Sequence, residues 1–239
     1  MSDLTAEERA IAASALRHVR GRYTADRAAQ LSGVPKSTIY DWRRNKVLLP
    51  DYANADPAIW SYRDLVLLRL LAWLRQGGME RPLAAAKTKH VREQLNAGIR
   101  IRQIHATSRD VVLIGENASD EIDDDRQNLL PSSDFYSLLD SFDLHEPIDE
   151  LRNTDSKRSW APHLVTPSHH SSISPWVLAG DPCVRNSRIP TAAIFALSTE
   201  RQLPSQAIVD LYPGLTVEQV DDVTELERRL RGIETAIAA

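Results

Sequence analysis

The stretch Tyr23 to Pro50, YTADRAAQLSGVPKSTIYDWRRNKVLLP, constrains the fold more than any other part of the chain. Thr24 carries a hydroxyl that can accept from the free N–H groups at the start of a helix over Ala25 to Leu31. Gly33 follows where a tight helix–helix turn requires a positive φ. Pro35 suits the opening of a second helix, where its missing N–H has no partner to lose. Ala28, Leu31, Val34 and Ile39 have the spacing to bury against one another. Two helices joined by a short Gly turn have the layout of a helix-turn-helix.

The remaining face of the second helix offers Lys36, Ser37, Thr38, Tyr40, Arg43 and Arg44. Hydroxyls near a helix start suit base edges in a major groove, whereas Arg43, Arg44 and Lys46 suit backbone phosphates. The same side chains also fit an ordinary solvated helix face. Total charge does not choose between these, since 29 basic and 33 acidic residues leave a net of −4. Its distribution is more informative. Residues 1–96 hold 16 basic and 10 acidic side chains, a net of +6; residues 97–165 hold 7 and 14, a net of −7; residues 166–239 hold 6 and 9, a net of −3. Such asymmetry suggests separate partners for the separate parts.

At 42 % hydrophobic and 26 % charged, the composition is that of a soluble globular protein of one large or two small domains. A single cysteine, Cys183, builds no disulfide framework and suits a reducing cytoplasm. The richest apolar stretch, Leu65 to Leu74, is interrupted by Arg69 and falls short of a membrane span. The acidic start MSDLTAEERA has no apolar signal core, and Thr5 to Glu8 forms a capping box for a short helix ending near Gly21.

Beyond Leu48-Leu49-Pro50 come a polar loop, Ile59 to Leu65, and an amphipathic helix over Asp64 to Gln76. Gly77-Gly78 stops that helix, and Pro82 to Leu95 reads as another. This succession over about residues 22–95 resembles the MerR-like winged helix-turn-helix domain. The features that carry the resemblance are Ala28, Gly33-Val34, Thr38 to Trp42, Leu48-Leu49-Pro50, Tyr62, Leu65 and Gly77-Gly78-Met79. It implies docking on double-stranded operator DNA, with Tyr62 and Arg63 at the backbone. Trp60 stands where the family's wing carries an Arg, and neither a long coiled coil nor metal-binding cysteines follow. Metal or drug sensing is therefore not implied.

In the acidic middle, Ile101–Ala106 and Asp110–Gly115 read as a β-hairpin, and Phe135–Phe142 as a short helix. Asp123-Asp124-Asp125 lacks the Gly and terminal Glu of a calcium loop and reads as a solvated loop. Residues 152–172 form a linker or extended arm in which Trp160-Ala161-Pro162 is an anchor docked on its own protein. His169-His170 are adjacent, so they do not easily face one metal ion together.

Toward the C-terminus, Pro190 opens a helix to Ser198 and Pro204 one to Leu211. The Thr216–Gln219 capping box opens a third through Leu230. These make a trihelical, homeodomain-like bundle. Residues 173–231 resemble a family of antitoxin-type helical domains catalogued as a domain of unknown function. The match lies in Gly180, Pro182, Cys183, Val184, Arg188, Ile189, Pro190, Tyr212, Pro213, Leu215 and Thr216, with Asn186 at a usual Gly and Ser187 at a usual Thr. A MerR-like head on this tail resembles VapB-type antitoxins.

That resemblance implies a PIN-domain ribonuclease toxin (VapC-type) as partner, autorepression of the shared operon, and a homodimer reading a two-fold operator. It also points to Lys157, Arg158, Arg185 and Arg188 as cations facing the toxin's carboxylates, with Trp160 and Trp176 as apolar anchors. Arg188 alternatively braces its own loop. The alternative function is a stand-alone MerR-like regulator responding to a small ligand. Catalysis is not expected. Cys183 sits in a structural-looking loop, and nine glycines include no phosphate-cradling motif. No cofactor, metal or membrane partner is expected. The expected architecture is mainly α: residues 1–96 as DNA-binding head, 97–172 as hairpin and arm, and 173–239 as the trihelical domain.

Overall fold

The computed structural model describes residues 14, 16, 18–52, 57–97, 101–106, 111–115, 136–137, 139, 142–144 and 159–232. The protein is mainly helical. Helices α1 (Ala25–Ser32) and α2 (Lys36–Arg44) are followed by α3 (Tyr62–Gln76) and α4 (Arg81–Asn96). Three further helices close the chain: α5 (Thr191–Thr199), α6 (Ser205–Leu211) and α7 (Val217–Leu230). The helix expected at the Thr5 capping box lies outside the described residues.

Local caps fall where the side chains predict them. Thr24 accepts from the Arg27 N–H to open α1, and Thr216 with Gln219 forms a complete capping box on α7. Gly33 closes α1 at φ +76°. Two demands converge on this glycine, because a Cβ here would also lie 2.9 Å from the Ala161 Cβ.

Helix α3 differs from the amphipathic expectation. It starts at Tyr62, capped by a Ser61–Asp64 box, and nearly every residue is buried. A helix buried on nearly all sides belongs in the middle of a core, and α3 is that central helix, its buried charges Arg63, Asp64 and Arg69 each bonded to partners. Leu31, Ile39 and Trp42 from α1 and α2 pack on it, with Ala84, Val91 and Leu95 from α4.

The same cluster takes in Leu139, Leu164, Val165 and Ile173, and reaches Leu226 and Leu230 of α7. A second cluster gathers Val184, Ile194, Ile208, Leu215, Val220 and Val223 within the C-terminal helices. Helix α7 thus serves both cores, its first half in one and its second half in the other.

Strands β1 (Ile101–Ala106) and β2 (Val111–Gly115) form the expected antiparallel hairpin, with Ala106 opposite Val111. Among the described residues of 135–142 the expected short helix is absent. β3 (Tyr136–Ser137) pairs with β1, and β4 (Phe142–Leu144) pairs with β5 (Ser159–Ala161). So short a helical segment is marginal in water, and sheet edges satisfy its backbone groups instead. A last pair joins β6 (Ser171–Ser172) to β7 (Cys183–Val184).

The described part of the arm, residues 159–172, is docked on its own protein. The fully buried Arg69 of α3 donates to the carbonyls of Leu31 and Pro162. Tyr62 donates to the Leu164 carbonyl at 3.0 Å.

Candidate nucleic-acid interface

Helix α2 buries Thr38, Ile39 and Trp42 and turns Ser37, Tyr40 and Arg44 outward. An open depression on this side is lined by Ser37, Tyr40, Asp41, Arg43, Arg44, Lys46 and Leu49. Asp41 is its one carboxylate. It accepts from Arg44 at 3.1 Å, from the Asn45 amide at 2.7 Å and from Arg81 at 2.8 Å. Two guanidinium groups therefore cover one carboxylate, and the surface is left positive. Arg43 and Lys46 pair with no carboxylate among the described residues. Lys46 stands at φ +57°, turned off the end of the helix. Lys36 is engaged by Asp26 at 2.6 Å, with both groups exposed.

Two of the residues expected on this surface are elsewhere. Thr38 is 1 % exposed, because positions 38, 39 and 42 make the inner face of α2. Arg63 is also buried. Its Nε and Nη2 lie 2.5 and 2.6 Å from the two oxygens of Asp51. A guanidinium held in that fork is not offered to a phosphate.

Arg63 belongs instead to a buried knot that fixes the segment after α2. Asp64 accepts from the backbone N–H groups of Asp51 and Ser61, both at 2.8 Å, and from Arg92 at 2.6 Å. Arg92 also donates to the Leu49 carbonyl at 2.6 Å. Burial and the neighbouring Asp51 charge push Asp64 up to about 6, against the pull of Arg92 and the two N–H groups. Asp51 is held below its ordinary value; burial opposes this, but Arg63, Ser61 and Arg92 prevail.

A carboxyl-resolved NMR titration should therefore read an Asp64 midpoint near 6, with Asp51 still charged at that pH. The folded state binds the Asp64 proton more tightly than the unfolded chain does. Asp64 thus favours folding at low pH and loses that contribution as the pH rises through about 6. Asp51 acts oppositely and loses its contribution as the pH falls into the acid range. An Asp64 midpoint at or below 4 would refute this balance.

The residues expected to face a protein partner are differently placed. Lys157 and Arg158 lie outside the described residues. Trp160 is half-buried against its own core, with the Arg229 guanidinium 3.7 Å above its ring, so its apolar surface is already used. Trp176 is 45 % exposed. Arg185 is half-buried, its N–H donating to the His170 carbonyl at 2.7 Å. Arg188 is exposed and makes no ion pair among the described residues. Burial pushes the Cys183 thiol up to about 11, so it stays protonated at neutral pH.

Arg20, Arg22 and Tyr52 escaped the sequence reading. Their only signal was a pair of arginines flanking Gly21, just ahead of the paired helices.

Comparison with known families matches residues 172–225 to "Protein of unknown function (DUF433)". The match runs from β6 into α7. No curated protein and no solved structure matches the chain significantly. Among the described residues no helix is long and apolar enough to cross a membrane.

Proposed function

We propose that this protein is a cytoplasmic antitoxin of the VapB type. A MerR-like winged helix-turn-helix (α1 to α4) binds double-stranded operator DNA, and the C-terminal trihelical domain with its preceding arm holds a PIN-domain ribonuclease toxin. The observation that carries the DNA half is the positive depression along α2, whose Leu49 edge is held through the Arg92 bond to the Leu49 carbonyl by the Asp51–Arg63–Asp64–Arg92 knot. Exposed cations beside the Ser37 and Tyr40 hydroxyls, with Arg43 and Lys46 pairing with no carboxylate among the described residues, match the needs of a groove-bound helix. The toxin half rests on the loop and helix pattern of residues 173–231, supported by the exposed Trp176 and Arg188.

Co-expression with the adjacent gene tests the whole reading. Restored growth in the presence of a toxic neighbour supports it; absence of rescue with DNA binding retained supports a stand-alone regulator. Arg43→Ala with Arg44→Ala should lower the slope of log K against log[salt] by about 1.8, for two lost phosphate contacts. An unchanged slope removes α2 from the interface.

A further inference from the structure

We propose that the exposed turn carrying Arg20 and Arg22, with Tyr52 beside it, is a second phosphate-binding patch that grips the same duplex as α2, and that the loop Leu178–Gly180 holds it in place. This rests on the DNA reading of α2. Tyr23 pairs with Trp60 and Tyr52 with Ile59 in antiparallel bridges, so the three chain segments lie side by side. The Arg22 guanidinium carbon lies 5.1 Å from the centre of the Tyr52 ring, and the Tyr52 hydroxyl donates to the Val19 carbonyl at 3.3 Å.

These two arginines, like Arg43 of α2, have no carboxylate partner among the described residues, whereas Arg44 pairs with Asp41. Arg27, Arg63, Arg81, Arg92, Arg228 and Arg231 each pair with a carboxylate. Arg20 and Arg22 are exposed, and among the described residues no carboxylate pairs with either. Two exposed arginines two residues apart, one with its guanidinium over the Tyr52 ring, are suited to an anion.

The backbone beneath them is fixed. Arg22 N–H donates to the Ala179 carbonyl at 2.8 Å, and Arg20 C=O accepts from Tyr62 N–H at 2.7 Å. The loop that meets Arg22 belongs to the stretch matched to the family of unknown function, and Leu178 and Ala179 both take positive φ there. That segment thus positions a cation of the head.

Position selects duplex DNA as the occupant. Tyr52 lies three residues beyond Leu49, which lines the α2 depression. Three residues span at most about 11 Å, so Tyr52 lies within about one major-groove width, roughly 12 Å, of Leu49. With α2 in the groove, this closeness in the chain would set Arg20 and Arg22 toward the phosphates at its edge.

The test is a salt series, about 50 to 200 mM, on a labelled mixed-sequence duplex of about 40 base pairs, roughly four helical turns. Arg20→Gln with Arg22→Gln should lower the slope of log K by about 1.8, with thermal melting unchanged. Arg22→Lys should keep the slope, because the phosphate term depends on charge. Hydroxyl-radical footprints of the double variant should lose protection at flanking phosphates only. A wild-type slope in the double variant, alongside a lowered slope in Arg43→Ala/Arg44→Ala, overturns the second patch and leaves α2 standing. Unchanged DNA binding with lost capture of the neighbouring gene's product assigns the patch to an acidic protein and overturns the inference. No duplex binding by the wild type overturns both.

Discussion

Glu227→Ala is expected to cost about 3 kcal/mol of stability, read as a fall of roughly 6–12 °C in melting temperature. Glu227 lies inside α7 with its side chain fully buried. Its carboxylate accepts from Arg27 at 2.7 and 3.2 Å, from the Thr191 hydroxyl at 2.6 Å and from Arg231 at 3.4 Å. Burial would raise its pKa, but these donors, Arg27 foremost, hold it below its ordinary value. Its stabilising contribution is therefore present above the unfolded carboxylate range and lost as the pH falls into the acid range.

Removing Glu227 strands the Arg27 guanidinium, 13 % exposed, on Asp181 and Gln30 alone. The remaining partners place the cost at the low end of what breaking a buried ion pair does. Arg27→Met should make Glu227→Leu far less harmful, because replacing both charges removes the unpaired one. Strictly additive losses in that double-mutant cycle would show that the pair does not couple the C-terminal helix to the head.

Gly180→Ala is the second large effect, expected at about 3 kcal/mol or more from strain and overpacking combined. Gly180 has φ +90°, and a Cβ there would sit 2.1 Å from the Tyr23 hydroxyl oxygen and 2.8 Å from its Cζ. Tyr23 is 1 % exposed and its hydroxyl donates to the Gly180 carbonyl at 2.9 Å, so the ring has no room to retreat. Adding Tyr23→Phe removes the nearer clash and should recover part of the loss in chemical denaturation; the φ strain stays. Hydrogen exchange should show the 178–181 loop opening first in the single variant. A wild-type denaturation midpoint for Gly180→Ala would contradict this packing.

These two positions mark the limit of what the residues disclose along the chain. The helix pair was legible because its signals are local: the Thr24 cap acts across three residues and Gly33 on its own φ. The Thr216–Gln219 box and the β1–β2 hairpin were legible for the same reason. Half of the α2 surface was legible too, since a run of cations on one helix face shows in the sequence. Thr38 and Arg63 were misplaced because exposure depends on what lies opposite. Arg63 meets Asp51 twelve residues away, whereas Arg43 meets no carboxylate among the described residues.

The sequence by itself determined the helices, their caps and the positive balance of the first 96 residues, because each follows from neighbours within a turn or from a simple count. Only the tertiary structure decided which cations are spent and which are free. It also decided that α7 is shared between two cores and that Tyr23 meets Gly180 across 157 residues of sequence. A buried charge is tolerable only with a partner within hydrogen-bond reach, and the fold alone brings that partner from a distant part of the chain.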